Sequence, residues 1–266
     1  MILNNINKKT FLITPLSLIQ SIGLLLLATL LEIAIAIVPS SFAKIYLSTD
    51  LLIWLNFFIG IFSKVIVVIC LTSWFCSNEK KLEKIHYKPG RIFCLILILF
   101  IAYRIFYNNT FIYVFNFTNS NSVINNTFRT LFQYKFLALG TVLLVNPIYE
   151  EILFRSFLLE GLRQKYSDLF AILLSALLFG LVHMNLIQGI NTFIIGIILG
   201  FVYTRTESLY QCIFAHIAHN MFALLLSSKI HTLTPLRISL NFIISIVCIY
   251  IIYRIVIYIN TNRTII

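Results

Sequence analysis

Eight apolar runs separated by short polar segments constrain this chain more than any other feature. A helix that crosses a membrane needs about 20 consecutive apolar residues. Inside a bilayer every backbone N–H and C=O must find an internal partner, so only helices and closed barrels can span it. The runs lie at 13–38, 49–76, 91–116, 134–159, 168–184, 190–205, 208–228 and 235–258. They predict an all-α, polytopic transmembrane helical bundle of about eight helices, forming one integral membrane domain over residues 1–266. Seven helices is the alternative, because the fifth and sixth runs are short.

The composition excludes a soluble domain. The chain is 60% hydrophobic and 11% charged, whereas soluble chains are about 25% charged. Its net charge of +11 does not indicate a nucleic acid partner, because the basic residues cluster between the apolar runs. The first run is too long for the core of a signal peptide, so we expect an uncleaved first span. The five cysteines show no CxxC spacing and predict neither disulfides nor a zinc knuckle.

The basic residues also predict the orientation. Cytoplasmic loops of membrane proteins carry an excess of lysine and arginine. One set of connecting segments is rich in them and holds Lys8, Lys9, Lys80, Lys81, Lys84, Lys88, Arg91, Arg163, Lys165, Arg205 and Arg263. The opposite set holds Lys44, Arg129, Lys135, Lys229 and Arg237. This bias favours both termini in the cytoplasm and the polar loop 117–133 outside.

The fourth run carries two adjacent carboxylates and an arginine, Glu150, Glu151 and Arg155. An ionisable group at the middle of a membrane costs roughly 2.5–3.5 kcal/mol on insertion scales, so such charges are usually paired or functional. Glu151 and Arg155 are four residues apart and can form an ion pair along one helical face. Glu150 is rotated by about 100° from Glu151 and can face another direction. Alternatively, all three lie at the membrane boundary, where Arg155 reaches toward water.

Two later runs carry further polar side chains. His183 ends the segment Phe179–His183, while His216 and Asn220 are four residues apart and share one helical face. With Glu150 they suit acid–base hydrolysis: the glutamate takes a proton from water, one histidine orients it, and the other histidine and the amide stabilise an oxyanion. Glu150, His183 and His216 would equally suit a zinc ion with an open position. No HExxH segment is present.

Other polar or small residues inside the runs receive no catalytic role. Glu32, Lys64 and Arg104 are isolated in their runs, although Lys64 is central enough to need a partner. Gly196 and Gly200 form a small-xxx-small pair that favours close helix packing. His219 is an extra histidine that we assign to packing.

Pro147 removes a backbone donor before Glu150 and is expected to bend the helix, either to open a wet pocket or as an ordinary structural kink.

Three motifs occur in order on three apolar runs: Glu150-Glu151-x-x-x-Arg155, Phe179-x-x-x-His183 and His216-x-x-x-Asn220. In this the chain resembles the CPBP family of intramembrane proteases, which includes CAAX prenyl endopeptidases and bacteriocin-processing and immunity-associated bacterial proteins. The resemblance covers a core of residues 134–228. It implies that Glu150 is the general base, assisted by His183, and that His216 and Asn220 stabilise the oxyanion. It also implies that Glu151 and Arg155 support the architecture. It favours a metal-free reaction without a cofactor, with zinc as the alternative.

The resemblance predicts an intramembrane endopeptidase in a bacterial plasma membrane. Its partners would be the bilayer and a membrane-associated or lipid-modified peptide or protein substrate. One alternative is a non-catalytic membrane protein that binds a toxin or its receptor, as an immunity factor would. Another is a proton-coupled transporter in which the buried glutamate and histidines relay protons. The absence of an obvious internal repeat disfavours the transporter.

Overall fold

A computed structural model describes residues 12–77, 89–111, 113, 134–226 and 234–261. Within these ranges it contains eight helices: α1 (Leu18–Tyr46), α2 (Thr49–Phe75), α3 (Pro89–Asn109), α4 (Lys135–Arg163), α5 (Asp168–Leu181), α6 (Leu186–Thr206), α7 (Leu209–Leu225) and α8 (Pro235–Thr261). Two short strands, β1 (Leu12–Ile13) and β2 (Cys76–Ser77), pair antiparallel. The predicted all-α fold with about eight helices is confirmed. The polar loop 117–133 and most of the basic segment 78–88 lie outside the described residues.

Length and composition make this a multi-pass integral membrane protein. Six of the eight helices in the described part of the chain are long and apolar enough to cross a membrane, and α5 and α7 are shorter apolar helices. Many leucine, isoleucine and phenylalanine side chains on α1, α2 and α8 are exposed. Exposed apolar surface of this extent indicates contact with lipid, since water-soluble monomers rarely carry it.

The first helix differs from its predicted range of 13–38. It begins at Leu18 because Ser17 and Gln20 form a capping box, in which each side chain accepts a hydrogen bond from the other residue's backbone N–H. It continues past Pro39 to Tyr46. The other helices begin and end within about four residues of their predicted ranges, except α3, which ends at Asn109 instead of 116.

The chain divides into two compact units. The first contains Met1–Glu83 and Lys135–Phe201, and the second contains Lys84–Tyr134 and Val202–Ile266. The motifs around Glu150 and His183 therefore belong to the first unit, while His216 and Asn220 belong to the second. The single domain over residues 1–266 and the core of residues 134–228 stay predictions.

Helix α4 is not a regular α-helix throughout. A π-helical segment, Thr141–Val145, precedes the short α-helical segment Asn146–Glu151, and a second π-helical segment follows at Ile152–Leu159. The N–H of Asn146 bonds to the carbonyl of Thr141, five residues back. Pro147 cannot donate a backbone hydrogen bond and its ring crowds the preceding turn, which a wider π turn accommodates. The expected disturbance at Pro147 thus takes the form of a π-helical segment just before the two glutamates.

Small residues bring α5 and α6 together. A Cβ atom on Gly196 would lie 2.9 Å from Cα of Ala176, and one on Gly180 would lie 2.7 Å from the carbonyl oxygen of Gly189. A Cβ on Gly200 would lie 3.1 Å from Ile172. The predicted packing role of Gly196 and Gly200 is confirmed.

Candidate active site

The ion pair predicted from the spacing of Glu151 and Arg155 is present and fully buried. Nε of Arg155 donates to Oε2 of Glu151 at 2.9 Å, and both side chains are 0% exposed. Nη1 of Arg155 donates to the hydroxyl of Ser175 on α5 at 3.4 Å, and the Ser175 hydroxyl donates to the carbonyl of Phe154 at 3.1 Å. The guanidinium also lies 5.5 Å from the centre of the Phe179 ring. This network joins α4 to α5 next to Glu150, and it excludes an Arg155 side chain that reaches toward water.

The contact between Phe154 and Phe179 relates the neighbourhoods of Glu150 and His183 in the α4–α5 pair. The rings of Phe154 on α4 and Phe179 on α5 are in contact, with centroids 4.8 Å apart. The two helices are joined by a short connection and run in opposite directions. Glu150 lies four residues before Phe154, and His183 lies four residues after Phe179. Both residues are thus four positions from one interhelical contact, and His183 lies just beyond the end of α5 at Leu181.

His183 lies in the turn that follows α5 and is held there by its own motif. Its Nδ1 lies 2.8 Å from the carbonyl oxygen of Phe179, and its ring meets the Phe179 ring edge-on with centroids 5.1 Å apart. A carbonyl oxygen can only accept, so Nδ1 carries the hydrogen and Nε2 of the neutral ring is an acceptor. The four-residue spacing of this motif thus fixes both the orientation and the tautomer of the histidine.

An apolar groove borders the His183 turn. Its volume is about 440 Å³, and it is lined by Leu177, Gly180, Leu181, Met184, Asn185, Leu186, Gly189, Ile190 and Phe193. Met184, next to His183, has a positive φ of 50°, which is uncommon for a residue other than glycine. A groove of this composition can accept an apolar side chain or an acyl or prenyl chain.

In the second unit, His216 and Asn220 lie one helical turn apart on α7, as predicted. His216 is 5% exposed and Asn220 is half-buried. His219 is equally buried, and its ring packs against Phe100 and Tyr103 of α3 with centroids 5.6 and 5.9 Å away. These contacts agree with the packing role expected for His219.

Arg104, isolated in the sequence, joins α3 to α7. Its Nη2 donates to the carbonyl of Ala223 at 3.4 Å, and its guanidinium lies 5.2 Å from the centre of the Tyr107 ring. Asn108, one turn further along α3, donates to the carbonyl of Leu226 at 2.5 Å. These bonds reach the carbonyl groups at the end of α7, which have no partner inside their own helix. Arg104 therefore helps to fix the helix that carries His216 and Asn220.

Glu32 and Lys64, each isolated in its own apolar run, are partners across two helices, as the central position of Lys64 suggested. The ammonium of Lys64 on α2 forms an ion pair with the carboxylate of Glu32 on α1. Lys64 also lies 5.3 Å from the centre of the Tyr149 ring, and the Tyr149 side chain interacts electrostatically with Glu32. Sequence analysis assigned no role to Tyr149. A lone charge in each apolar run indicated that Glu32 and Lys64 need partners. The spacing of residues along one helix cannot show which residue about thirty positions away is the partner.

No group of three or more histidine, cysteine, aspartate or glutamate side chains within the described ranges is placed to hold a metal ion. The choice between a metal-free and a zinc-dependent reaction stays a prediction.

Comparison with known proteins agrees with the motifs. Residues 132–222 match the family described as "Type II CAAX prenyl endopeptidase Rce1-like". This match agrees with the resemblance to the CPBP family that the motifs indicate. The matched segment includes Glu150, Glu151, Arg155, His183, His216 and Asn220, whereas α1, α2, α3 and α8 lie outside it.

One curated relative with this CPBP similarity is "Putative membrane peptidase YdiL" of Bacillus subtilis (strain 168). It is 36% identical over 83 residues, which is 31% of this chain and 34% of the relative. The chain thus matches about a third of that relative's length. No solved structure matches the chain.

Proposed function

We propose that this protein is an intramembrane endopeptidase that hydrolyses a peptide bond in a membrane-associated or lipid-modified peptide. The observation that supports the proposal is the contact of Phe154 with Phe179, four residues from Glu150 and from His183 respectively, beside the buried Glu151–Arg155 ion pair. A carboxylate and a neutral imidazole acceptor on neighbouring segments can act together on a single water molecule.

The reaction follows from the chemistry of the four residues. Glu150 takes a proton from water while Nε2 of His183 holds the second hydrogen, and the resulting hydroxide attacks the carbonyl carbon of the scissile bond. His216 and Asn220 donate hydrogen bonds to the oxyanion of the tetrahedral intermediate. Glu150 then returns its proton to the nitrogen of the leaving amine as the C–N bond breaks. Glu151 and Arg155 hold α4 in place.

Zinc remains the alternative for the activation of water. In that case Glu150, His183 and His216 would be the ligands, and the metal would lower the pKa of its bound water. The metal-free version is preferred because an asparagine amide suits an oxyanion donor better than a zinc ligand. Adding a chelator separates the two versions.

The decisive experiment compares wild type with Glu150→Gln in detergent. Each protein is incubated with a membrane-peptide library that includes farnesylated CAAX peptides, and the products are read by mass spectrometry. We expect cleavage by wild type and a loss of about 10²-fold or more in Glu150→Gln, because general-base catalysis contributes about 10²–10⁴-fold. Glu160→Gln is the matched control, since it removes a carboxylate from the same helix away from the motifs. It should cleave like wild type.

The same variants discriminate the other functions. A protein that only masks a toxin would cleave nothing, and Glu150→Gln would keep full protection in cells. A transporter would lose proton-coupled uptake in Glu150→Gln without cutting any peptide. Cleavage that persists in chelator supports the metal-free reaction, whereas loss that zinc restores supports the metal site.

A further inference from the structure

The first unit contains a polar cluster with no role in the proposed reaction, formed by Glu32, Lys64 and Tyr149 on α1, α2 and α4. Lys64 pairs with Glu32 and lies over the Tyr149 ring, while the Tyr149 hydroxyl interacts electrostatically with Glu32. Each of the three side chains therefore interacts with the other two. The Lys64 and Glu32 side chains are only 19% and 27% exposed. Both charges lie far from the ends of long apolar helices, where an ionisable group is expensive and is usually functional.

Tyr149 directly precedes Glu150 on α4. The α-helical segment that carries both residues, Asn146–Glu151, is only six residues long and lies between two π-helical segments. π-helical turns interrupt the regular i→i+4 bonding that would otherwise set the rotation of a helix about its axis. Contacts of the side chains must therefore contribute to the direction in which this segment faces.

Both neighbours of Glu150 are anchored. On one side, Glu151 is held by Arg155 at 2.9 Å. On the other side, Tyr149 is 9% exposed and is held by Glu32 and Lys64. Successive residues of an α-helix are rotated by about 100°, so fixing the directions of residues 149 and 151 also fixes the direction of residue 150.

We propose that Glu32 and Lys64 hold Tyr149 in place and thereby aim the Glu150 carboxylate at the reacting water. This inference rests on the proposed function. The three residues are positioning residues that act through Glu150. Glu32 and Lys64 lie outside the family segment 132–222, so the first two helices of this chain supply a part of the active site that the family motifs do not contain.

The test uses the full-length protein in detergent with two variants. Tyr149→Phe keeps the ring under Lys64 but removes the hydroxyl that interacts with Glu32. The double variant Glu32→Leu/Lys64→Leu removes both charges together, so neither is left unpaired in an apolar surrounding. We expect kcat to fall by about 10-fold to 100-fold in both, because displacing a catalytic group by about 1 Å can cost up to 10²-fold. KM and the thermal unfolding midpoint should stay at the wild-type values. A merely structural role would instead lower the midpoint and leave kcat unchanged in the molecules that remain folded.

Tyr250→Phe is the matched control. Tyr250 on α8 also combines a hydroxyl hydrogen bond, at 2.7 Å from Arg254, with a cation near its ring at 5.7 Å, but it lies in the second unit. It should keep the wild-type kcat.

A second readout needs no substrate. A hydrophobic carbodiimide modifies carboxyl groups inside membrane proteins, and peptide mass spectrometry gives the modification rate of Glu150. We expect this rate to change in Tyr149→Phe and in the double variant but not in Tyr250→Phe. Wild-type kcat and an unchanged rate in both variants would overturn the inference and leave the proposed function standing. If wild type cleaves no peptide, the proposed function fails, and the modification rate alone decides whether the cluster orients Glu150.

Discussion

Arg155 is one of the largest side chains that are fully buried in the described part of the chain. Its burial is tolerated because Glu151, Ser175 and the Phe179 ring together surround the guanidinium. Breaking a buried ion pair is costly, because the remaining charge stays buried without compensation. The ion pair therefore secures the position of α4 against α5 at the residue next to Glu150.

Replacing Arg155 by leucine tests this role. We expect Arg155→Leu to lower the free energy of unfolding by about 3–5 kcal/mol, since it leaves the Glu151 carboxylate buried without its cation. Denaturation in mixed micelles measures the change. Glu160→Gln is again the control, because the Glu160 and Arg163 side chains are 20% and 14% exposed and Arg163 keeps its bond to Asp168. Its cost should be about 1 kcal/mol or less. Equal costs for the two variants would mean that the buried pair has no special structural role.

At the scale of the elements, the contact of α5 with α6 determines where His183 lies. α5 ends at Leu181, and the chain turns through His183 and Met184 before α6 begins at Leu186. The two helices approach so closely at Gly180 and Gly189 that a Cβ on Gly180 would clash with backbone. Glycine in these helices allows an approach that larger residues would prevent.

Adding a methyl group at this contact tests the packing. We expect Gly196→Ala to destabilise the protein by about 1–3 kcal/mol, because the new Cβ would lie 2.9 Å from the backbone of Ala176 and the helices must move apart. In Gly60→Ala the new Cβ meets nothing within 4 Å. That control should be neutral or stabilising, since alanine favours the helix by up to about 1 kcal/mol. The thermal unfolding midpoint in detergent measures both, and equal midpoints would contradict the close packing at Gly196.

For the whole molecule, the number of crossings decides the topology. Eight crossings place both termini on one side, and the positive-inside bias predicts the cytoplasm. α5 and α7 have 14 and 17 residues, about 21 and 26 Å at 1.5 Å per residue, which is less than the roughly 30 Å of a bilayer core. The number of membrane crossings therefore depends on whether α5 and α7 cross the bilayer.

Reporter fusions test the topology. We expect a reporter that is active only in the cytoplasm to be active when fused to either terminus, and one fused within the loop 117–133 to be inactive. Matched fusions of a reporter that is active only outside the membrane should give the reverse pattern. Termini on opposite sides would show that α5 or α7 does not cross.

Much of the candidate site was accessible to sequence analysis, because it depends on interactions over short chain distances. The spacing of four residues predicted the Glu151–Arg155 ion pair, and the same spacing placed His216 and Asn220 on one face of α7. The length and apolarity of the runs determined the all-α membrane fold, since a bilayer leaves the backbone few alternatives. The three motifs were sufficient to suggest the family.

The tertiary structure decided what depends on partners distant in the chain. Glu32, Lys64 and Arg104 looked isolated because the side chains and carbonyl groups they contact lie on other helices, many residues away. The π-helical segments of α4 and the early end of α5 could not be read from periodicity, because they result from the packing of whole helices. Local spacing thus identified the candidate reacting groups, while packing between helices determined the partners that hold their neighbours in place.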